Sequence, residues 1–178
     1  MTTLLLARHG ETDWNHEGRW QGWADPPLND TGRAQARALA AELASLSFDA
    51  VYASDLRRAH ETAEILAGPH SVPIVVDRDL REIDIGSWSG LTRSEIEERY
   101  PDGKRPDGET RDDHGRRVLG AVERIARAHP GGRVLVVSHG GTLRTLHGHT
   151  SDEPYHPAPN CAVLEVHFRD DRLTAPIG

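Results

Sequence analysis

Lysine is almost missing from this chain: of 21 basic residues only Lys104 is a lysine. Cysteine occurs once, at Cys161, so an intramolecular disulfide framework is excluded. No run approaches the roughly 20 apolar residues of a membrane span. The apolar opening Leu4-Leu5-Leu6-Ala7 is cut short by Arg8, His9 and Glu11. It is too short for a signal peptide or a span, and predicts a cytoplasmic protein with no membrane partner. Positive charge is also in deficit, 21 against 28 acidic residues for a net charge of −7. That weighs against nonspecific nucleic-acid binding, which needs a basic surface. What the chain does have is 178 residues, twenty arginines and eleven histidines. The length suits one domain, taken here as 1–178, with a core large enough to fold without disulfides or a structural metal. Coding bias accounts for the arginine total, but not for where certain arginines and histidines stand.

Short apolar runs alternate with helical patterns. Leu4–Ala7 reads as a buried parallel strand with Arg8-His9-Gly10 at its tip. Asn29–Gly32 opens a helix running to about Leu46, and Asp49–Ser54 is a second strand. Ser54-Asp55 is placed to cap the next helix, which ends near Gly68-Pro69. Val72–Val76 is a third strand candidate, Leu80–Trp88 is irregular, and Thr92–Tyr100 is a short helix. A loop over 101–113, a helix over 112–128 and the strong strand Arg133–Val137 follow, with His139-Gly140-Gly141 at that strand's tip. Thr142 to His147 continues as helix, 149–160 is a Pro-rich loop, and 163–168 with 173–175 forms a hairpin. The alternation predicts an α/β fold: a three-layer α/β/α sandwich with a mostly parallel central sheet and, from about 90–115, a small helical and loop cap over the pocket. Ligands of such sheets bind beyond the carboxyl ends of the strands. His9 and His139 are thereby predicted to share one edge.

A histidine directly after a buried strand is held rigidly, and Arg8 beside it offers a forked, permanently charged donor suited to phosphate. Asn15 follows on the next loop, Arg57-Arg58 opens the helix after the second strand, and His139 ends the strongest strand. The stretches RHGETDWN (8–15), QGWADPPLNDTG (21–32), SDLRRAHETA (54–63), LREIDIGSWSG (80–90) and SHGG (138–141), in that order, resemble the histidine phosphatase superfamily in its phosphoglycerate-mutase-like branch. They cover most of the first ninety residues and the strand near 135. Residues 91–131 and 147–178 match loosely.

The resemblance implies that His9 is the nucleophile, accepting the phosphoryl group as phosphohistidine. Arg8, Arg58 and His139 would surround the phosphoryl oxygens with help from Asn15. Glu82 would protonate the leaving alkoxide and then act as base on the attacking water, and Gln21 and Gly22 would contact substrate. It implies no cofactor and no metal. Independent chemistry agrees. Phosphoryl transfer is chiefly positioning plus neutralisation of charge on the equatorial oxygens, which two guanidinium groups and a histidine can supply. An imidazole attacks in its neutral form, well populated near pH 7. Glu11 is a rival acid on spacing alone.

The reading is therefore a metal-independent phosphatase acting on a small phosphorylated metabolite, with oligomeric state not legible. Its alternatives are a cofactor-dependent phosphoglycerate mutase and, more remotely, a protein phosphohistidine phosphatase. Family mutases carry a longer insertion before the second His-Gly-Gly, whereas only about fifty residues separate Gly90 from His139 here, which favours hydrolysis. A noncatalytic phosphate binder would lack one of Arg8, His9, Arg58, Glu82 or His139, and all five are present. Several residues receive plainer readings. Arg116, Arg117, Arg124 and Arg127 form a solvated helix face with local ion pairs. Glu109 lies in a segment matching the family only in part. Cys161 heads an apolar strand as a small core residue. His147, His149, Asp152, Glu153 and His156 lack a zinc motif's spacing. Trp14, Trp20, Trp23 and Trp88 are divided between loop packing and pocket wall.

Overall fold

The computed structural model describes residues 1–176; the last two positions of the predicted domain lie outside it. Six strands form one sheet: β1 (Thr2–Arg8), β2 (Ala50–Ala53), β3 (Ile74–Val76), β4 (Arg133–Ser138), β5 (Val163–Arg169) and β6 (Arg172–Thr174). Their spatial order is β3-β2-β4-β1-β5-β6. The pairs β2–β3, β2–β4 and β4–β1 are parallel, while β1–β5 and β5–β6 are antiparallel. The helices are α1 (Asp13–His16), α2 (Asp30–Leu43), α3 (Arg57–Ala67), α4 (Arg93–Arg99), α5 (Arg111–Ala128) and α6 (Gly140–Thr150).

Alternation along the central strands builds the three layers. Leu4, Leu6, Val134 and Val136 face one side and pack with Val118, Val122 and Ile125 of α5 and Leu143 and Leu146 of α6. Leu5, Ala7, Leu135 and Val137 face the other and pack with Leu39 and Leu43 of α2 and Ala59, Ala63 and Leu66 of α3. With both faces covered, β1 and β4 read as continuous apolar runs rather than as alternating ones.

Three local readings change. The α3 start is not capped by Ser54 or Asp55: Leu56 is the N-cap without a side-chain bond, and Arg57 N–H donates to Asp25 Oδ1 at 2.7 Å. The cap comes from a loop 32 residues earlier, so local sequence could not reveal it. Helix α6 begins at Gly140, directly behind His139, and reaches Thr150. Cys161 precedes β5 in a left-handed turn (φ 60°) and is half-buried. Burial pushes its thiol up to about 11.

The register β1–β4 pairs Arg8 with Ser138. That single alignment sets His9 and His139 side by side at the carboxyl edge of the two central strands, although 130 positions separate them. Among the described residues, no helix is long and apolar enough to cross a membrane.

Candidate active site

A cavity of about 640 Å³ opens over that edge, lined by Arg8, His9, Asn15, Gln21, Gly22, Arg58 and Glu82, and by parts of the 83–111 segment, α5, α6 and the 155–158 loop. His139 does not line its wall. It lies fully buried beneath, its ring meeting that of His9 edge-on at 5.3 Å between centroids.

His9 is fixed by its surroundings. Its N–H bonds Ser138 O at 3.0 Å, and the following Gly10 N–H bonds Thr62 Oγ1 at 3.0 Å. Its Nδ1 lies 2.7 Å from Gly10 O. A carbonyl only accepts, so Nδ1 carries the proton and Nε2 keeps its lone pair. Burial, then Arg58 and Arg8, hold the His9 imidazole well below its usual range, and hence neutral. His139 is lowered likewise, by burial first and then by Arg58. Ser54 Oγ accepts from Leu56 N–H at 3.3 Å and lies within hydrogen-bond distance of His139 Nε2 at 2.9 Å.

Arg58, fully buried, donates to Ala24 O at 2.7 Å and Gly22 O at 2.8 Å; Arg8 donates to Ala158 O at 2.6 Å. Burial brings Arg58 down to about 10, which still leaves it charged at neutral pH. Gly22 stands at φ 50°, and an added Cβ there would collide with Ile85, so only glycine presents its carbonyl to Arg58 this way. Asn15 Oδ1 accepts from Thr12 N–H at 3.2 Å and Asn160 Nδ2 at 3.3 Å, which leaves its amide nitrogen as donor. Gln21 Oε1 accepts from Thr12 Oγ1 at 3.1 Å. Among the described residues, seven buried side-chain nitrogens have no protein partner, and five belong here: Arg8 Nε, Arg58 Nε, His114 Nε2, Trp88 Nε1 and His139 Nδ1. Native folds leave few such groups, and their concentration in one place marks a site for an electron-rich ligand.

Glu82 lines the same cavity as His9. Its Oε1 accepts from Ile83 N–H at 2.9 Å, and its Oε2 from Gly141 N–H at 3.0 Å. A Cβ on Gly141 would collide with that carboxylate. Glu11 is engaged elsewhere, accepting from Asn29 Nδ2 at 2.9 Å, and does not line the cavity.

The match to known proteins decides the family. The model of the histidine phosphatase superfamily (branch 1) matches residues 4–175. This chain belongs to that superfamily. Relatives include the Bacillus subtilis phosphatase PhoE, 40% identical over 82% of this chain and 76% of its own length. A metal-independent phosphoserine phosphatase of Arabidopsis thaliana is 37% identical, covering 97% of this chain and 79% of itself. Among solved structures, Bacillus stearothermophilus YhfR superposes with a TM-score of 0.93 at 36% identity, over 99% of this chain and 96% of that one. The protein is a phosphatase, a hydrolase of phosphomonoesters.

In this histidine phosphatase one predicted surface residue is not on the surface. Arg117 is largely buried and paired through two bonds to Glu109, Nε–Oε1 at 2.9 Å and Nη2–Oε2 at 2.7 Å. It also donates to the carbonyls of Asp79 (2.8 Å), Arg81 (3.0 Å) and Glu82 (3.2 Å). The last three of these five hydrogen bonds tie α5 to the segment carrying Glu82. Burial opposes charge on Glu109, but the bonds and charge of Arg117 outweigh it and hold the carboxyl below its usual range. Arg81 anchors the other side, bidentate to Asp55 at 2.6 Å for both bonds and stacked 4.8 Å over Trp23. Trp23 Nε1 donates to Glu82 O at 2.8 Å. Removing one member of a buried ion pair leaves the other uncompensated, so Arg117→Met is expected to lose roughly 3 kcal/mol of stability in denaturant titration.

The tryptophans divide. Trp20 and Trp88 line the cavity and meet edge-to-face at 5.9 Å, while Trp14 packs on Gly90. His147 donates to Glu153 O at 2.9 Å and its ring packs on Tyr155.

Two fully buried neutral histidines carry a pH consequence. Their folded values lie below 6.5 while the unfolded chain titrates near 6.5. Above that pH neither state takes up a proton and they cost nothing. Below it the unfolded state binds protons that the fold refuses, so stability falls on acidification. The expected slope reaches about 1.4 kcal/mol per pH unit for each group. Melting temperature is expected to drop from pH 7.5 to 5.5, and inorganic phosphate, supplying opposite charge, to flatten the drop.

Proposed function

We propose that this protein is a metal-independent phosphatase that hydrolyses a small phosphomonoester through a phosphohistidine on His9, with Glu82 as general acid and base. The carrying observation is the set of unpartnered buried nitrogens gathered around a neutral His9 whose Nε2 lone pair is free to attack. In the first step Nε2 bonds to phosphorus, the ester P–O bond breaks, and Glu82 gives its proton to the departing oxygen. In the second, water attacks phosphorus, Glu82 takes a proton from it, and the P–N bond breaks to release phosphate. Arg8, Arg58 and His139 hold the equatorial oxygens through both steps, with the amide of Asn15 beside them. Gln21 and Gly22 line the leaving-group side.

The Arabidopsis relative described as metal-independent supports the absence of a metal requirement here. A screen of small phosphorylated metabolites in excess EDTA, run beside a phosphoglycerate isomerisation assay, tests the reading. Phosphate release that persists in EDTA is expected. Activity lost in EDTA and restored only by a divalent metal would overturn it, and isomerisation without net phosphate release would make the protein a mutase. A phosphorylated protein as the only substrate would make it a protein phosphohistidine phosphatase.

A further inference from the structure

One buried titratable side chain in the cavity has no part in that scheme. His114, on the first turn of α5, is 3% exposed and lines the cavity beside Glu82. Its Nε2 has no protein partner among the described residues and lies 3.9 Å from Glu82 Oε1. On the other side of the ring, Nδ1 lies 3.4 Å from Thr145 Oγ1 of α6.

These contacts fix what the ring can do. The Thr145 hydroxyl can donate to Nδ1, which leaves the ring proton on Nε2, the nitrogen turned toward the carboxyl. Burial lowers the imidazole below its usual range, against the pull of Glu82 and, more weakly, Glu109; Arg117 adds to the lowering. Those three charged groups and the neutral His139 are the titratable surroundings of the ring. A neutral ring with hydrogen on Nε2 is a donor without a hydrogen-bond partner; the Glu82 carboxylate lies 3.9 Å from it, and the Arg81 backbone also faces the ring and favours its protonated form. A gap of 3.9 Å is too long for a hydrogen bond, but contacts between catalytic groups are often long before substrate binds and shorten when it does.

We infer that His114 is a positioning residue for Glu82, donating its Nε2–H to the carboxylate left when Glu82 gives its proton to the leaving oxygen. The proton balance of the cycle is unchanged, since His114 keeps its own proton throughout. It stabilises charge that appears on Glu82 only as the P–O bond breaks, and aims the same carboxylate at the incoming water. A bond to a charged partner developing in the transition state corresponds to roughly ten- to hundredfold in rate. The inference rests on the proposed role of Glu82.

The test compares kcat/KM for an alkyl phosphate, a poor leaving group, with that for p-nitrophenyl phosphate, whose phenolate leaves without protonation. His114→Leu is expected to lower the first roughly tenfold or more and the second less than about threefold. His114→Gln, whose amide reaches a similar point, is expected to recover most of the loss. On a Glu82→Gln background, His114→Leu is expected to add nothing. Should His114→Leu fold poorly, Thr145→Val removes the hydroxyl that orients the ring and is expected to give a smaller loss with the same leaving-group bias. Vanadate affinity, which reports the phosphoryl site, is expected to stay unchanged. Equal losses for both esters, a full loss persisting on the Glu82→Gln background, or no rescue by glutamine would overturn the assignment. A Glu82→Gln enzyme that itself lacks leaving-group bias would overturn the acid role first, and this inference with it.

Discussion

His9→Ala is expected to reduce phosphatase turnover by roughly 10⁴-fold or more, because it removes the atom proposed to form the covalent bond. The remaining cradle is untouched: Arg58 keeps its bonds to Ala24 and Gly22, and Arg8 its bond to Ala158. Phosphate or vanadate is therefore expected to bind the variant while turnover disappears. Such a split separates a lost nucleophile from a collapsed pocket. Rapid quenching of the wild-type enzyme with a radioactive phosphate ester is expected to trap a base-stable, acid-labile label, the signature of a P–N bond. The same label found on the His9→Ala protein would rule out His9 as its site. Removal of the ring also relieves one of the buried histidines that oppose acidification, the others being His139 and His114, so this variant is expected to lose less stability than wild type between pH 7.5 and 5.5.

The second large effect is expected from Glu82→Gln. Glutamine preserves the size of the side chain and one oxygen for Gly141 N–H, but holds no transferable proton. For an alkyl phosphate the P–O bond breaks with charge building on an alkoxide, and kcat/KM is expected to fall roughly 10²- to 10³-fold. For p-nitrophenyl phosphate the phenolate bears its own charge, and the loss is expected to stay within about tenfold. Comparable losses with both esters would leave Glu82 a structural role at the start of α6 and no role in proton transfer.

Much of this arrangement is legible in the sequence where one local pattern has one physical meaning. A short apolar run that stops at Arg8-His9 or at His139, alternating with helical patterns, reads as a buried strand with a polar tip, and in a parallel sheet those tips share an edge. The residues missed share a different character. Arg117 sits on a helix side where basic residues usually face water. Its burial depends on Glu109, eight positions earlier, and on the irregular 79–82 segment folding back onto α5. No local pattern distinguishes it from Arg116, which is exposed and pairs with Asp113. His114 did leave a signal: with Val118, Val122 and Ile125 it lies on the apolar stripe of α5, where a histidine is out of place unless it has a polar task. The α3 cap was misplaced because Asp25 reaches it through tertiary folding alone.

The pairing of β1 with β4 has a consequence for how the enzyme comes into being. Almost every residue of the catalytic pattern lies in the first half of the chain, yet the floor of the phosphate pocket is not closed until β4 inserts between β1 and β2. During synthesis the N-terminal motif emerges early and waits for a partner more than a hundred residues later. That is a long-range closure of the kind that slows folding and leaves apolar strand faces temporarily uncovered. The buried Arg58 and the half-buried Arg8, brought close and only partly offset by Glu82, make the last stage still harder. Any anion that binds only the closed sheet would shift the folding equilibrium toward it by mass action.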